Sequence, residues 1–183
     1  MKTIGLVGEP GVGKTTTMRL IIQGMEFLPE QLGKAKWMRS EAHRVILMGT
    51  YYGEAFDGTD RLSMSCYSDL EKAALYFASK YPDYSVLWEG DRLTRNRWIT
   101  ALKEVGAFIR VFCLVADPEV TQARREGRGS TQNESWIKGR ISTSHRLAEM
   151  TGAEVVDMTS GQSGPELAER IREEIRTGGR QNV

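Results

Sequence analysis

No apolar run in this 183-residue chain approaches the roughly 18–20 residues that a bilayer-spanning helix requires. Cysteine is scarce. Cys66 and Cys113 stand far apart and in no metal-like spacing, so they read as reduced thiols, Cys113 as a core residue. The two histidines, His43 and His145, fall in no triad or metal spacing. Internal repeats, low-complexity linkers, helix-turn-helix elements, zinc fingers and RNA-binding motifs are all missing. Strand character begins at Thr3, so no leader peptide is expected, and the expected compartment is the reducing cytoplasm with no membrane partner. With 40% hydrophobic residues, the chain is expected to form one domain over residues 1–183 around a real core.

What is present is concentrated at the start. The strand-like run Thr3-Ile4-Gly5-Leu6-Val7 feeds into Gly8-Glu9-Pro10-Gly11-Val12-Gly13-Lys14-Thr15, a complete G-x-x-x-x-G-K-T phosphate-binding loop. The glycines allow a tight turn whose N–H groups point at a polyphosphate. Residues Gly8, Gly11, Val12, Gly13, Lys14, Thr15 and Thr16 are therefore expected to bind ATP. Lys14 would reach the β- and γ-phosphates, and the Thr15 hydroxyl would ligate Mg²⁺. The stretch from Thr16 to Gln23 is helix-competent, which places the anion at a helix N-terminus where the macrodipole favours it.

Net charge is +1, but it is unevenly distributed. Residues 91–146 hold 11 Lys/Arg against 6 Asp/Glu, mostly as arginine, while both flanking segments are net acidic. Arginine's planar fork suits bidentate recognition of phosphate.

Five β-prone runs, at Thr3–Val7, Arg44–Met48, Ser85–Trp88, Phe108–Val115 and Glu154–Met158, alternate with helical stretches. That pattern predicts an α/β fold, a doubly wound five-stranded parallel sheet with ligand at the carboxyl ends of its strands. Ser68 with Glu71, Asp117 before Pro118, Thr131 with Glu134, and Ser163 with Glu166 are the expected helix starts. Glu26–Ser40 is poorly periodic and carries no element in this reading.

Other phosphate-loop classes fit less well. There is no Asn-Lys-x-Asp guanine-recognition element, and in Val86-Leu87-Trp88-Glu89-Gly90-Asp91 a glycine interrupts the acidic pair that transport ATPases carry. The run Ala116-Asp117-Pro118-Glu119-Val120, followed by Ala123-Arg124-Arg125 and then Arg128 between two glycines, resembles the strand–helix–arginine lid of small phosphate-loop kinases. Gly58-Thr59-Asp60-Arg61-Leu62-Ser63, Glu89-Gly90-Asp91-Arg92-Leu93 and Gln132-Asn133-Glu134-Ser135-Trp136-Ile137-Lys138-Gly139-Arg140 narrow the resemblance. Together they are most similar to a phage branch of the thymidylate-kinase family, the 5-hydroxymethyluracil DNA kinases.

The resemblance implies a phosphate-loop kinase fold with an Arg-rich lid over about residues 124–140, ATP and Mg²⁺ as cofactors, and a DNA acceptor containing a modified pyrimidine. A free nucleotide is the alternative acceptor. It assigns Lys14, Glu89, Asp91 and Arg128 to catalysis, Arg124 to the nucleotide, and Thr15 with Glu89 to the metal. Asp60, Arg61, Arg92 and Arg140 fall to the acceptor, and adenine near Gly161–Gly164. The expected site is the cytoplasm of a host cell if the chain is phage-encoded. Thymidylate kinases commonly carry an aromatic residue after the acid–arginine pair, where this chain has Leu93. A soluble (deoxy)nucleoside monophosphate kinase and a non-kinase ATPase module are the competing readings. Trp88 and Trp136 are expected in the core, and Tyr51 and Tyr52 either stack on a base or pack.

Overall fold

The computed structural model describes residues 1–51, 58–59, 62–63, 65–90, 92–94 and 96–177. A seven-stranded sheet runs through the molecule, built from β1 (Lys2–Gly8), β2 (Leu28–Leu32), β3 (Ala35–Ser40), β4 (Val45–Met48), β5 (Ser85–Glu89), β6 (Phe108–Val115) and β7 (Glu154–Asp157). The spatial order is β2-β3-β4-β5-β1-β6-β7. From β4 to β7 all neighbours are parallel. These five strands are the five apolar runs of the sequence, with β1 central.

The expected count of five strands is corrected to seven. Glu26–Ser40, left without an element, holds β2 and β3, an antiparallel hairpin that pairs onto β4. Its outer strand is exposed on both faces and contains Pro29, so neither alternation nor apolarity marks it. An edge position tolerates the missing N–H of proline, and β3 supplies the ladder.

Side chains alternate between two layers, as a period of two requires. Ile4, Leu6, Val45, Leu47, Leu87, Phe112 and Leu114 face α1 (Lys14–Ile22) and α6 (Ser163–Arg176). On the other face, Ile46, Val86, Trp88, Val111 and Cys113 meet α2 (Tyr67–Lys80), α3 (Asn96–Glu104) and α5 (Glu134–Thr151). The remaining helix, α4 (Pro118–Glu126), buries only Thr121. Trp88 is fully buried as expected and donates its indole N–H to Thr3 Oγ1 at 3.2 Å. Its ring lies flat over Gly5, where an added Cβ would come within 2.2 Å of the indole. Both cysteines are buried and free.

Three helix starts differ from the sequence reading. Cys66 precedes α2, and Ser68 lies inside it. Asn133 rather than Thr131 caps α5, its side chain accepting from Trp136 N–H. Gln162 precedes α6, and Ser163 is its first residue. Asp117 holds the predicted N-cap position of α4, but its side chain makes no capping bond.

Candidate active site

The phosphate loop joins the carboxyl end of β1 to the N-terminus of α1, so the backbone N–H groups of the first helical turn open at the sheet's carboxyl edge. Gly8, Gly11 and Gly13 all have positive φ, at 144°, 89° and 109°. Gly8 and Gly11 are also sterically required. A Cβ on Gly8 would lie 2.3 Å from the Leu114 carbonyl oxygen, and one on Gly11 would lie 2.7 Å from that of Thr121. Val12 is buried, whereas Thr16 is exposed at the mouth of the helix.

Lys14 Nζ donates to the carbonyls of Gly8 and Glu9, both at 2.9 Å. The Gly8 carbonyl also accepts from Ser144 Oγ, 3.1 Å away on α5. From the other side the loop is held by α4. Arg125 donates to the Pro10 carbonyl at 2.9 Å and lies 3.8 Å from the Glu9 carboxylate. Arg124 donates to the carbonyls of Val12 (3.4 Å) and Met158 (3.1 Å), tying the loop to the turn after β7. Burial raises the Glu9 carboxyl above its ordinary range, with Arg125 and a Thr121 hydrogen bond opposing.

Glu89 ends β5, is 2% exposed, and stands beside the loop. One carboxylate oxygen, Oε1, accepts from Thr15 Oγ1 at 3.1 Å and from the Tyr51 phenol at 3.0 Å. The Thr59 hydroxyl donates to the Glu89 backbone carbonyl. Gly58, at φ 83°, passes so close that a Cβ there would lie 2.5 Å from Glu89 Oε1. Gly58 and Thr59, between β4 and α2, are thereby fitted against the acidic strand end.

Thr15 and Glu89 thus come together as the sequence expects, presenting hard oxygen donors of the kind Mg²⁺ takes. No group of three or more His, Cys, Asp or Glu side chains converges among the described residues. A pair of protein donors suits Mg²⁺, which keeps several waters and shares phosphate oxygens.

The remaining expected residues divide as follows. Arg92 donates through Nε to the Leu62 carbonyl at 3.3 Å, joining the two acid–arginine blocks. Arg128 follows α4, exposed, with its Nε on the Arg124 carbonyl at 3.1 Å. Arg140 lies on α5 with its guanidinium 5.4 Å from the Trp136 ring centre. Asp60, Arg61 and Asp91, like Tyr52, lie outside the described residues. Trp136, expected in the core, is half-buried and belongs to neither apolar layer.

Sequence reasoning missed Tyr51 as a partner of Glu89, and Ser144 as a partner of Gly8. Tyr51 was visible as a tyrosine just past a strand. Ser144 carries no local signal, because its partner lies at the other end of the chain. A cavity of about 940 Å³ opens at the opposite, amino edge of the sheet and shares no residue with the phosphate loop.

A search of curated protein sequences finds no match to this chain. Solved structures match it over nearly full length. They include the Bacillus subtilis YorR protein in complex with phosphorylated GDP, with 18% identity, 100% of both chains covered and a TM-score of 0.53. Shikimate kinase from Acinetobacter baumannii in complex with shikimate matches at 17% identity, 99% and 96% coverage and a TM-score of 0.52. A gluconokinase from Sinorhizobium meliloti matches at 16% identity, 97% coverage of each chain and a TM-score of 0.51. At such identities these neighbours establish the α/β phosphate-loop fold. No described helix is long and apolar enough to cross a membrane. The sequence profile described as P-loop Nucleotide Kinase3 matches residues 1–163, the whole span from the phosphate loop through the arginines of α4 to the turn after β7, and the chain belongs to that family of phosphotransferases.

Proposed function

We propose that the protein transfers the γ-phosphate of Mg²⁺–ATP to the hydroxymethyl group of 5-hydroxymethyluracil within DNA, a step in thymidine hypermodification. One observation carries this reading. The two sequence blocks that resemble the hydroxymethyluracil kinases, 58–63 and 89–93, are hydrogen-bonded to each other beside the phosphate loop. The Thr59 hydroxyl bonds the Glu89 carbonyl, and Arg92 bonds the Leu62 carbonyl. Residues distant in sequence therefore form one surface at the carboxyl ends of the strands, where the acceptor of such a fold belongs.

In this reading the loop N–H groups hold the β- and γ-phosphates. Lys14 leaves the Gly8 and Glu9 carbonyls to neutralise them. Thr15 and Glu89 hold Mg²⁺, which when bound offsets charge on the phosphate oxygens. Asp91 takes the proton of the acceptor hydroxyl as its oxygen bonds to the γ-phosphorus and ADP leaves. Asp60, Arg61, Arg92 and Arg140 position the acceptor. Arg124 and Arg128 belong to a lid of about residues 124–140 that excludes water. Adenine lies near Gly161–Gly164, and residues 1–183 act as one unit.

A second reading, a (deoxy)nucleoside monophosphate kinase, is favoured by the family's description as nucleotide kinases. Labelled γ-phosphate and Mg²⁺–ATP separate the two. Acceptors are hydroxymethyluracil DNA, thymine DNA, dTMP, shikimate and gluconate, with Lys14→Ala protein as the blank. Label confined to hydroxymethyluracil DNA is the expected result. Label in dTMP and none in any DNA would replace this reading with the second.

A further inference from the structure

The upper part of α5 has a composition that its place in the fold does not explain. Ser144, 1% exposed, bonds the Gly8 carbonyl, so this point of the helix is level with the last residue of β1. Leu147, also 1% exposed, lies in the apolar layer with Trp88 and Cys113. At about 100° per residue, Arg140 and Trp136 project within about 80° of the Ser144 direction, on either side of the Leu147 direction. At 1.5 Å per residue they lie about 6 and 12 Å further toward the helix N-terminus. The sheet-facing side of α5 thus continues beyond the carboxyl edge, where no β1 residue lies beneath it. There it presents a tryptophan and an arginine beyond the carboxyl end of β1.

These two side chains are already organised. The Arg140 guanidinium lies 5.4 Å from the Trp136 ring centre. The Trp136 backbone N–H donates to the Asn133 side chain at 2.8 Å, which fixes the residue's place in the first turn of α5. Trp136 is half-buried, whereas Trp37, Trp88 and Trp98, the other three tryptophans, are at most 2% exposed. A partly exposed indole with a stacked guanidinium matches one class of ligand well: a planar heteroaromatic ring, which stacks on both. An aliphatic or alicyclic alcohol gains little from it.

We infer that Trp136 and Arg140 form a stacking wall for the acceptor's base, making this kinase selective for acceptors that carry a nucleobase. The inference rests on the kinase reading above. It assigns base recognition to the first turns of α5 and leaves phosphoryl transfer to Lys14, Thr15 and Glu89.

The burial pattern supplies the test, because only Trp136 among the tryptophans can meet a ligand. Tryptophan emission is titrated with dTMP, with a hydroxymethyluracil oligonucleotide and with gluconate, and affinities are measured in parallel by calorimetry. The two base-bearing probes should quench saturably and gluconate should not. Trp136→Ala should abolish the quench and weaken base binding about 10- to 100-fold. Trp136→Phe should restore most of the affinity, and Arg140→Ala should weaken it about 10-fold. In turnover, the loss should fall on the acceptor KM, with kcat changed less than about threefold.

Equal calorimetric affinity for base probes in wild type and Trp136→Ala overturns the inference. If wild type still phosphorylates hydroxymethyluracil DNA, the proposed function survives that failure. Saturable quenching by bases, lost in Trp136→Ala, with no transfer to any of them upholds the wall and overturns the proposed function instead.

Discussion

The Tyr51 phenol donates a hydrogen bond of 3.0 Å to Glu89 Oε1, the same oxygen that accepts from Thr15. The Tyr51 ring is buried in the layer beneath α1, so it is a packed side chain with a polar tip aimed at the site. Two hydroxyl donors on one oxygen fix the orientation of the carboxylate before any cation arrives. Tyr51→Phe keeps the ring and removes one donor. A hydrogen bond to a charged acceptor contributes about 1.5–3 kcal/mol, so activity at limiting Mg²⁺ should fall about 10- to 100-fold. Saturating Mg²⁺ should recover much of it. Titrating Mg²⁺ against turnover decides the matter, and an unshifted midpoint would remove Tyr51 from the site.

Arg124 and Arg128 are one helical turn apart but differ in what they hold. Arg124 joins the phosphate loop to the turn after β7 through the Val12 and Met158 carbonyls. Arg128 is exposed, and its guanidinium bonds the Arg124 carbonyl one turn back. Arg124→Ala should therefore lower both melting temperature and nucleotide affinity. Arg128→Ala should leave the melting temperature within about 1 °C, since exposed side chains contribute little to stability, while lowering kcat about 10²- to 10³-fold through lost transition-state charge stabilisation. Scanning calorimetry and steady-state kinetics on both variants test this. A thermally weakened Arg128→Ala protein with normal kcat would reverse the assignment.

The sheet shows what the chain discloses locally and what it withholds. All five parallel strands were legible because each is an apolar, β-prone run, although β7 at the sheet edge is largely exposed, and the phosphate loop because its spacing is fixed by chemistry. The β2–β3 hairpin was not legible: Leu28, Pro29, Gln31 and Lys36 are exposed, and Trp37 is buried only because α2 covers it. In the site, the Thr15–Glu89 pair followed from motif and strand end. The contacts Tyr51–Glu89, Ser144–Gly8 and Arg125–Pro10 did not, because each depends on how separated elements pack and leaves no periodicity behind. Asn133 prevailed over Thr131 as a cap because only one of two neighbouring candidates can occupy the turn, and propensity alone barely separates them.

Gly5 and Trp88 are paired in register on β1 and β5, and the indole occupies the space a β1 side chain would fill. In Gly5→Ala, the methyl would overlap a fully buried ring 2.2 Å away, forcing the indole off Thr3 Oγ1. Overpacking of this kind costs about 3 kcal/mol. In a chain of this size that lowers the melting temperature by about 6–12 °C. A double-mutant cycle gives the sharper check: in a Trp88→Val background the same alanine should cost far less. Additive losses would mean that the ring is not the obstacle.

Glu9 lies inside the phosphate loop, 3.8 Å from Arg125, with its carboxyl raised chiefly by burial. A raised carboxyl binds its proton more tightly in the folded protein than in the unfolded chain. Its contribution to stability is therefore full below the ordinary glutamate range near 4.5 and is lost as pH climbs through the raised value. At neutral pH the ionised group is held where solvation is poor, and the attraction of Arg125 offsets only part of that cost. Glu9→Gln should accordingly melt higher than wild type at pH 7–8, with the gap closing as pH falls toward 4. Thermal unfolding of both proteins across that interval measures the sign directly. If the variant melts lower at pH 8, the Arg125 pairing outweighs burial, and Glu9 is a stabilising anchor of the loop instead.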